Sequence, residues 1–402
     1  MNAPMMEATL EKAELRPAGD GLPVPGPVTV GTPDRQSSQW HAPESTALPS
    51  IPVWGREAPQ RIAVFRALQL GDMLCSVPAL RALREAFPQA RITLIGLDTA
   101  HAFVERFAHY IDELAIFPGA EGMPEQPPRA ARLPAFFEWA RRQRFDLAIQ
   151  LHGSGASTNA LVERLGARAV AGFKPAGQPR GAGFMTWPDR LPEPERYVEL
   201  MRFLGLPVRS SALEFPLATA DRHEAQALVD DLGLRPPRTV VFHPGARLPS
   251  RRWPVAYFAQ VMRALSDAGW HLAVTGGADE RPLVHSLIDA AGVPAHDLSG
   301  RTSLGGLAAL LARCRLLVCN DTGVSHVAAA MRTPSVVVAS GSDVRRWAPL
   351  DRVRHRVVWK DMPCRPCAHH ECPIGHPCAV GLSPQPVLAQ ARRLLAGEPT
   401  HA

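Results

Sequence analysis

No apolar run in this 402-residue chain approaches the roughly 18 residues of a membrane-spanning helix. The N-terminus lacks the basic-then-apolar pattern of a secretory leader. Lysine is scarce. Only Lys12, Lys174 and Lys360 occur among 44 basic residues, so arginine carries nearly all the positive charge. Arginine suits bidentate phosphate contact, but the matching excess of alanine and proline accounts for most of it as a GC-rich codon bias. Seven cysteines is an odd number in a long chain without a leader. That excludes a secreted disulfide framework and makes the cytosol the default compartment. Also missing is a Gly-x-Gly-x-x-Gly after the first apolar strand, which argues against a nicotinamide dehydrogenase.

What is present is globular. Apolar residues make up 46% and charged residues 20%, and the length allows two or three domains. Ten of the 40 prolines fall in residues 1–59, which show no sustained period and read as a disordered tail. That tail holds four basic and seven acidic residues, so the rest carries +9 against +6 for the whole chain. From Arg61 onward apolar strands alternate with helical repeats. Strands are expected at 62–65, 91–95, 114–117, 147–150, 239–242, 272–275, 316–319 and 335–339. Helices are expected at 99–110, 133–143, 195–204, 221–232, 254–268, 280–291, 304–313, 325–331 and 384–396. This alternation predicts α/β structure with parallel sheets. A Pro/Gly-rich stretch near 205–220 divides it into 60–210 and 211–402, two doubly wound Rossmann-like domains facing a cleft.

Five stretches at strand ends or in loops hold candidate chemistry. Leu70-Gly71-Asp72 follows the opening strand. Asp72 reads either as a helix N-cap or as a carboxylate aimed into the cleft, able to accept a proton. Arg247, Arg251 and Arg252 fall within six residues, just before a helix beginning near Pro254. They fit a diphosphate at a helix entrance, or simply a solvated loop. Thr275-Gly276-Gly277-Ala278-Asp279-Glu280 permits close backbone approach and offers Glu280 to a ribose hydroxyl. Asn320-Asp321-Thr322-Gly323-Val324-Ser325-His326 opens a short helix whose first N–H groups suit an anion; capping and packing explain the same residues equally well. Finally, Cys364, Cys367, Cys372 and Cys378 cluster within 15 residues with His369, His370 and His376 among them. Their ligand types fit a structural zinc or iron site; a disulfide pair or reduced thiols in a loop are the alternatives.

Taken together, Arg61–Phe87, Val241–Pro254, Val274–Glu280, Cys319–Ala329 and Cys364–Cys378 resemble glycosyltransferase family 9, the ADP-heptose:lipopolysaccharide heptosyltransferases. The resemblance implies the two-domain glycosyltransferase-B fold, with the acceptor in the N-terminal domain and the nucleotide sugar in the C-terminal one. It implies an inverting reaction that needs no cofactor or metal, with Asp72 as general base. On the donor side it implies phosphate contacts from Arg251, Arg252, Asp321, Thr322, Gly323, Val324 and His326, and nucleoside contacts from Glu280 and Thr302. Three positions depart from the family pattern. Leu68-Gln69 stands where Ser-Ser is usual before Leu-Gly-Asp, Val324-Ser325 where Pro-Met is usual before the histidine, and Arg251 where lysine is usual.

The partners so implied are ADP-heptose and a lipid-linked saccharide, met at the cytoplasmic face of the inner membrane by a cytoplasmic, peripherally bound enzyme. No nucleic acid is expected. Two further readings stand beside this one: a protein O-glycosyltransferase of the same fold, and a non-catalytic nucleotide-sugar-binding protein.

Overall fold

The computed structural model describes residues 28–30 and 52–397, apart from 124, 180 and 368. The first strand, β1 (Val28–Val30), stands far from its neighbours in sequence. Six parallel strands then form an N-terminal sheet: β2 (Arg61–Phe65), β3 (Arg91–Gly96), β4 (Glu113–Ile116), β5 (Leu147–Gln150), β6 (Ala169–Lys174) and β7 (Phe184–Thr186), in the order β4-β3-β2-β5-β6-β7. A second sheet holds β8 (Thr239–His243), β9 (His271–Val274), β10 (His296–Asp297), β11 (Leu316–Asn320), β12 (Ser335–Ala339) and β13 (His355–Lys360), in the order β13-β12-β11-β8-β9-β10. Strands such as Ile62–Phe65 and Leu316–Asn320 are buried along their length, because helices cover both faces of a parallel sheet.

The two sheets share one winding. The chain moves outward from a founding strand, β2 or β8, and then reverses to that strand's other side at β5 or β11. At such a reversal the loops leaving adjacent strands part and open a crevice. Asp72 follows β2, and Asp321 follows β11, so both lie at reversal points.

The helices expected at 133–143 and 384–396 occur with those bounds. Helix Val77–Ala86 buries Val77, Leu80 and Leu83 on one face, with Pro78 in its first turn where no N–H is needed. Burying a side chain of that size contributes about 1.5–3 kcal/mol. One apolar cluster runs from Ile62 and Leu80 through Phe215 to Leu307 and Val327, so the domains share a core near their junction. The junction is also strapped by charge. Arg81 and Tyr110 hold Glu214 at 3.0 and 2.7 Å, and Arg106 pairs with Asp221 at 2.5 Å.

Three expectations need correction. The helix expected at 99–110 is shorter: a single turn at Asp98–Ala100 followed by His101–Arg106. The 1–59 tail is not featureless where it is described. Its Val28–Val30 pairs antiparallel with β13, Val28 opposite Lys360, and Trp54 packs edge-on against Phe87 at 5.3 Å; the other residues up to 51 lie outside the described residues. Strands β6, β7, β10 and β13 were not expected. Among the described residues, no helix is long and apolar enough to cross a membrane.

Candidate functional site

Asp72 sits inside a five-residue helix, Leu70–Leu74, in its first turn. It is therefore neither the N-cap nor a loop residue. Arg66, fully buried at the exit of β2, donates to the carbonyl of Leu151 beyond β5 and to that of Asp72 itself. One guanidinium thus fixes both sides of the N-terminal crevice. It also lies 4.4 Å from the ring centre of Tyr197, whose hydroxyl donates to Glu193.

Glu193 is 1% exposed and heavily partnered. It accepts from Arg196 of its own helix at 3.1 Å. From the C-terminal domain, Arg346 donates Nε at 2.6 Å and Nη2 at 3.0 Å, one to each carboxylate oxygen. That bidentate pair joins the two domains.

A second contact joins them without side chains. A Cβ placed on Gly71 would stand 2.9 Å from the Cα of Gly323 and 3.8 Å from His326 Cδ2. The Leu-Gly-Asp and Asp-Thr-Gly stretches therefore meet backbone to backbone. Gly323 begins the helix Gly323–Met331, and a helix cannot pair its own first N–H groups. Asp72 stands beside that positive end.

The electrostatics follow from burial. Desolvation pushes the Asp72 carboxyl above its usual range; Arg66 pulls it back most, Glu193 pushes it further up, and His326 and Arg346 pull it down. Burial also pushes Glu193 up, but Arg346, Arg66 and the Tyr197 hydroxyl outweigh it and hold that carboxylate low. His326 is pushed down by burial against the pull of Asp321, Asp72 and Glu193. Its Nδ1 lies 3.9 Å from the Cys75 sulfur, a thiol that burial pushes well above its ordinary range.

In the C-terminal domain the motifs surround the ends of β8, β9, β11 and β12. Asn320, fully buried, ties two of them together: its Oδ1 accepts from the Trp253 N–H at 3.0 Å, and its Nδ2 donates to the Pro244 carbonyl at 2.7 Å. Asn320→Ala strands both groups, at about 1–3 kcal/mol each. Urea unfolding of the variant should show that loss as a lower midpoint with an unchanged slope. The Glu280 carboxylate lies against Gly245, where an added Cβ would fall 2.0 Å from its Oε1, and accepts the Gly277 N–H at 3.0 Å. The Gly300 N–H donates to the Gly276 carbonyl at 2.9 Å, bringing the turn with Thr302 against the turn with Glu280. The structure thus brings the nucleoside candidates to one rim and Asp321, Thr322, Gly323 and Val324 to the mouth of one helix.

The cysteine-rich segment folds over the arginine loop. Ser250 donates its hydroxyl to the His369 carbonyl at 2.6 Å, Arg251 donates to the Cys367 carbonyl at 3.1 Å, and the Cys367 N–H donates to the Gly341 carbonyl at 2.7 Å. Arg252 donates Nε to the Ala246 carbonyl at 2.9 Å. All seven cysteines are free thiols, and Cys364, Cys367, Cys372 and Cys378 border one small cavity. Among the described residues, however, no group of three or more His, Cys, Asp or Glu is arranged to hold a metal ion. The zinc or iron expectation for these cysteines is not supported by this arrangement: Cys364 is exposed, Cys378 is buried, and the Cys372 sulfur accepts the His376 N–H at 3.1 Å. Backbone hydrogen bonds hold this segment in place.

Arg66, Glu193, Tyr197 and Arg346 escape a reading of motifs. Glu193 and Tyr197 share a helix turn, but they meet Arg66 and Arg346 only through the topology. The one local signal is Glu193-Pro194 opening a helix whose polar face is Glu195, Glu199 and Arg202, which leaves Glu193 and Arg196 on the buried side.

Comparison with known proteins agrees with this arrangement. A family model described as glycosyltransferase family 9 (heptosyltransferase) matches residues 135–377. The chain is 25% identical over 354 residues to lipopolysaccharide heptosyltransferase 2 of Escherichia coli (strain K12), covering 84% of this chain and 99% of that one. Its fold is similar to that of the glycosyl transferase family 9 protein from Veillonella parvula DSM 2008, with TM-score 0.68, 22% identity, and 84% and 98% of the two chains covered. It is also similar to E. coli ADP-heptose lps heptosyltransferase II, with TM-score 0.62, 22% identity, and 84% and 99% covered. The fold is the two-domain glycosyltransferase-B arrangement.

Proposed function

This chain belongs to glycosyltransferase family 9, the heptosyltransferase family, and we propose that it moves a heptose from ADP-heptose to a hydroxyl of a lipopolysaccharide-type saccharide, with inversion. The chain is a glycosyltransferase. The specific donor and acceptor are supported by the names of its relatives, which are lipopolysaccharide heptosyltransferases and an ADP-heptose enzyme. The observation that carries the reading is the Gly71–Gly323 contact. It sets a buried carboxylate on one domain beside the positive helix end of the other.

In this reading the N-terminal domain takes the acceptor and the C-terminal domain the nucleotide sugar. Asp72 accepts the proton of the acceptor hydroxyl as that oxygen bonds to the anomeric carbon. The bond from that carbon to the diphosphate oxygen breaks on the opposite face, and ADP leaves with the electron pair. Its charge is met by the first N–H groups of Gly323–Met331 and by the arginine loop, the kind of preorganised stabilisation that dominates such transfers. The place of His326 against Cys75 packs the helix onto the Asp72 turn. The lipid-linked acceptor brings the enzyme to the membrane surface through its basic folded part.

The test is direct. Purified protein is incubated with ADP-heptose and lipopolysaccharide extracted from a heptose-deficient strain. ADP release should match a gain of one heptose mass on the acceptor. ADP should also bind more tightly than UDP or GDP. Absence of ADP release, or a clear preference for UDP, overturns the assignment.

A further inference from the structure

The buried charges around Asp72 are shared between the domains, and their sharing has a direction. Asp72 is faced by Arg66 from the exit of β2, by Glu193 from the helix Glu193–Phe203, by His326 from the helix Gly323–Met331, and by Arg346 from the short helix Val344–Trp347. Cys75 belongs to its own turn, and Tyr197 and Arg196 complete the shell around Glu193. Arg66, Glu193, Arg196 and Tyr197 come from the N-terminal domain and stay with Asp72 whatever the cleft does. Arg346 and His326 arrive with the other domain.

We infer that Arg346, seated bidentately on Glu193, is a closure latch and a positioning residue for Asp72: it brings a cation to buried Glu193 and to the surroundings of Asp72 only when the domains are together. This rests on Asp72 being the base.

Geometry gives the latch its strength. Both Glu193 oxygens receive Arg346, at 2.6 and 3.0 Å, and Glu193 is 1% exposed. Arg346 also lies 4.4 Å from the ring centre of Trp347, and Trp347 packs 6.2 Å from His326. The latch is thereby tied to the helix that meets Gly71. Breaking the pair leaves buried Glu193 to Arg196 and Tyr197 with its bidentate cation gone, so the closed state is favoured once formed.

Chemistry gives the latch its purpose. With the cleft open, the charge of Glu193 acts on Asp72 with one fewer cation to offset it, and like charges hold protons. With the cleft closed, Arg346 neutralises Glu193 and pulls on Asp72, so the base is ionised when the donor is present. Closure and base readiness become one event.

Four variants test this: Arg346→Gln, Arg346→Lys, Glu193→Gln and Asp72→Asn. Two readouts are used on the full chain. Small-angle scattering with saturating ADP reports closure, and the pH profile of kcat for ADP release from ADP-heptose, with the extracted lipopolysaccharide as acceptor, reports the base in the donor-bound state. Arg346→Gln and Glu193→Gln should both enlarge the ADP-bound particle. Their acid limbs should move in opposite directions. Loss of the cation raises the Asp72 pKa and moves the limb to higher pH; loss of the neighbouring carboxylate lowers it. Arg346→Lys should restore the limb more fully than the closure, because it keeps the charge but not the bidentate fork. Asp72→Asn should leave scattering unchanged and abolish the limb.

A merely structural role would move both limbs together or neither. Unchanged scattering in Arg346→Gln, or limbs that shift in the same direction, overturns the latch. Full activity in Asp72→Asn overturns the base instead, and the scattering series still decides whether Arg346 closes the cleft.

Discussion

Asp72→Asn should slow heptose transfer by about 10²–10⁴-fold, the usual contribution of a general base. The amide keeps the shape and the place in the Leu70–Leu74 turn but cannot accept the hydroxyl proton. ADP affinity, measured by calorimetry, should be unchanged, because the diphosphate candidates lie on the other domain. The wild-type rate should fall as pH drops through a value above the ordinary aspartate range, since burial and Glu193 push Asp72 up. The sign for stability runs the other way. A carboxyl with a raised pKa in the folded state destabilises the fold when ionised, at pH above that pKa. The variant, which carries no charge there, should unfold at or above the wild-type temperature at pH 7. Activity lost together with stability would mean that Asp72 is structural.

Gly71→Ala should cost on the order of 10²-fold in kcat, the penalty of misplacing reacting groups by about 1 Å. A methyl at Gly71 meets the Gly323 backbone at 2.9 Å, and backbone cannot swing aside. The domains must part, and Asp72 is carried away from the donor helix. The reciprocal change is not equivalent. A Cβ on Gly323 would meet Gly71 at 3.6 Å, an ordinary contact. Gly323→Ala should therefore leave closure intact by small-angle scattering with ADP, whereas Gly71→Ala should enlarge the particle. Equal behaviour of the two variants would show that this contact does not set the closed geometry.

Much of the framework was legible because parallel strands buried on both faces spell themselves as continuous apolar runs. β2, β5, β11 and β12 fall within a residue of the runs that mark them. The strands that were missed lack that mark. β13 reads His-Arg-Val-Val-Trp-Lys, half polar, because it lies toward the sheet edge; β6 carries Gly172, whose missing side chain makes room for Gln150; β10 is only two residues long. Within the candidate site, Asp72, Glu280 and the Asp321–Val324 mouth were legible as candidates because contiguous motifs carry them. The groups that tune them were not, because Arg66, Glu193 and Arg346 are separated by more than a hundred residues and no local period links them. The cysteine spacing was legible as a cluster, and the four thiols do border one cavity; that the segment's backbone is committed to the arginine loop was not, because Ser250 and Cys367 are more than a hundred residues apart.

The pairing of β1 with β13 has a consequence for how this molecule is made. The strand Val28–Val30 pairs with Val358–Lys360, more than 300 residues further along the chain. Everything between the two strands must be synthesised before that edge is closed, and contacts so distant in sequence form late. Until then β13 presents a row of unpaired backbone groups to any passing strand. The C-terminal lobe is thus composed of two stretches that flank the other lobe in sequence, and a fragment beginning at residue 211 would lack a part of its own sheet.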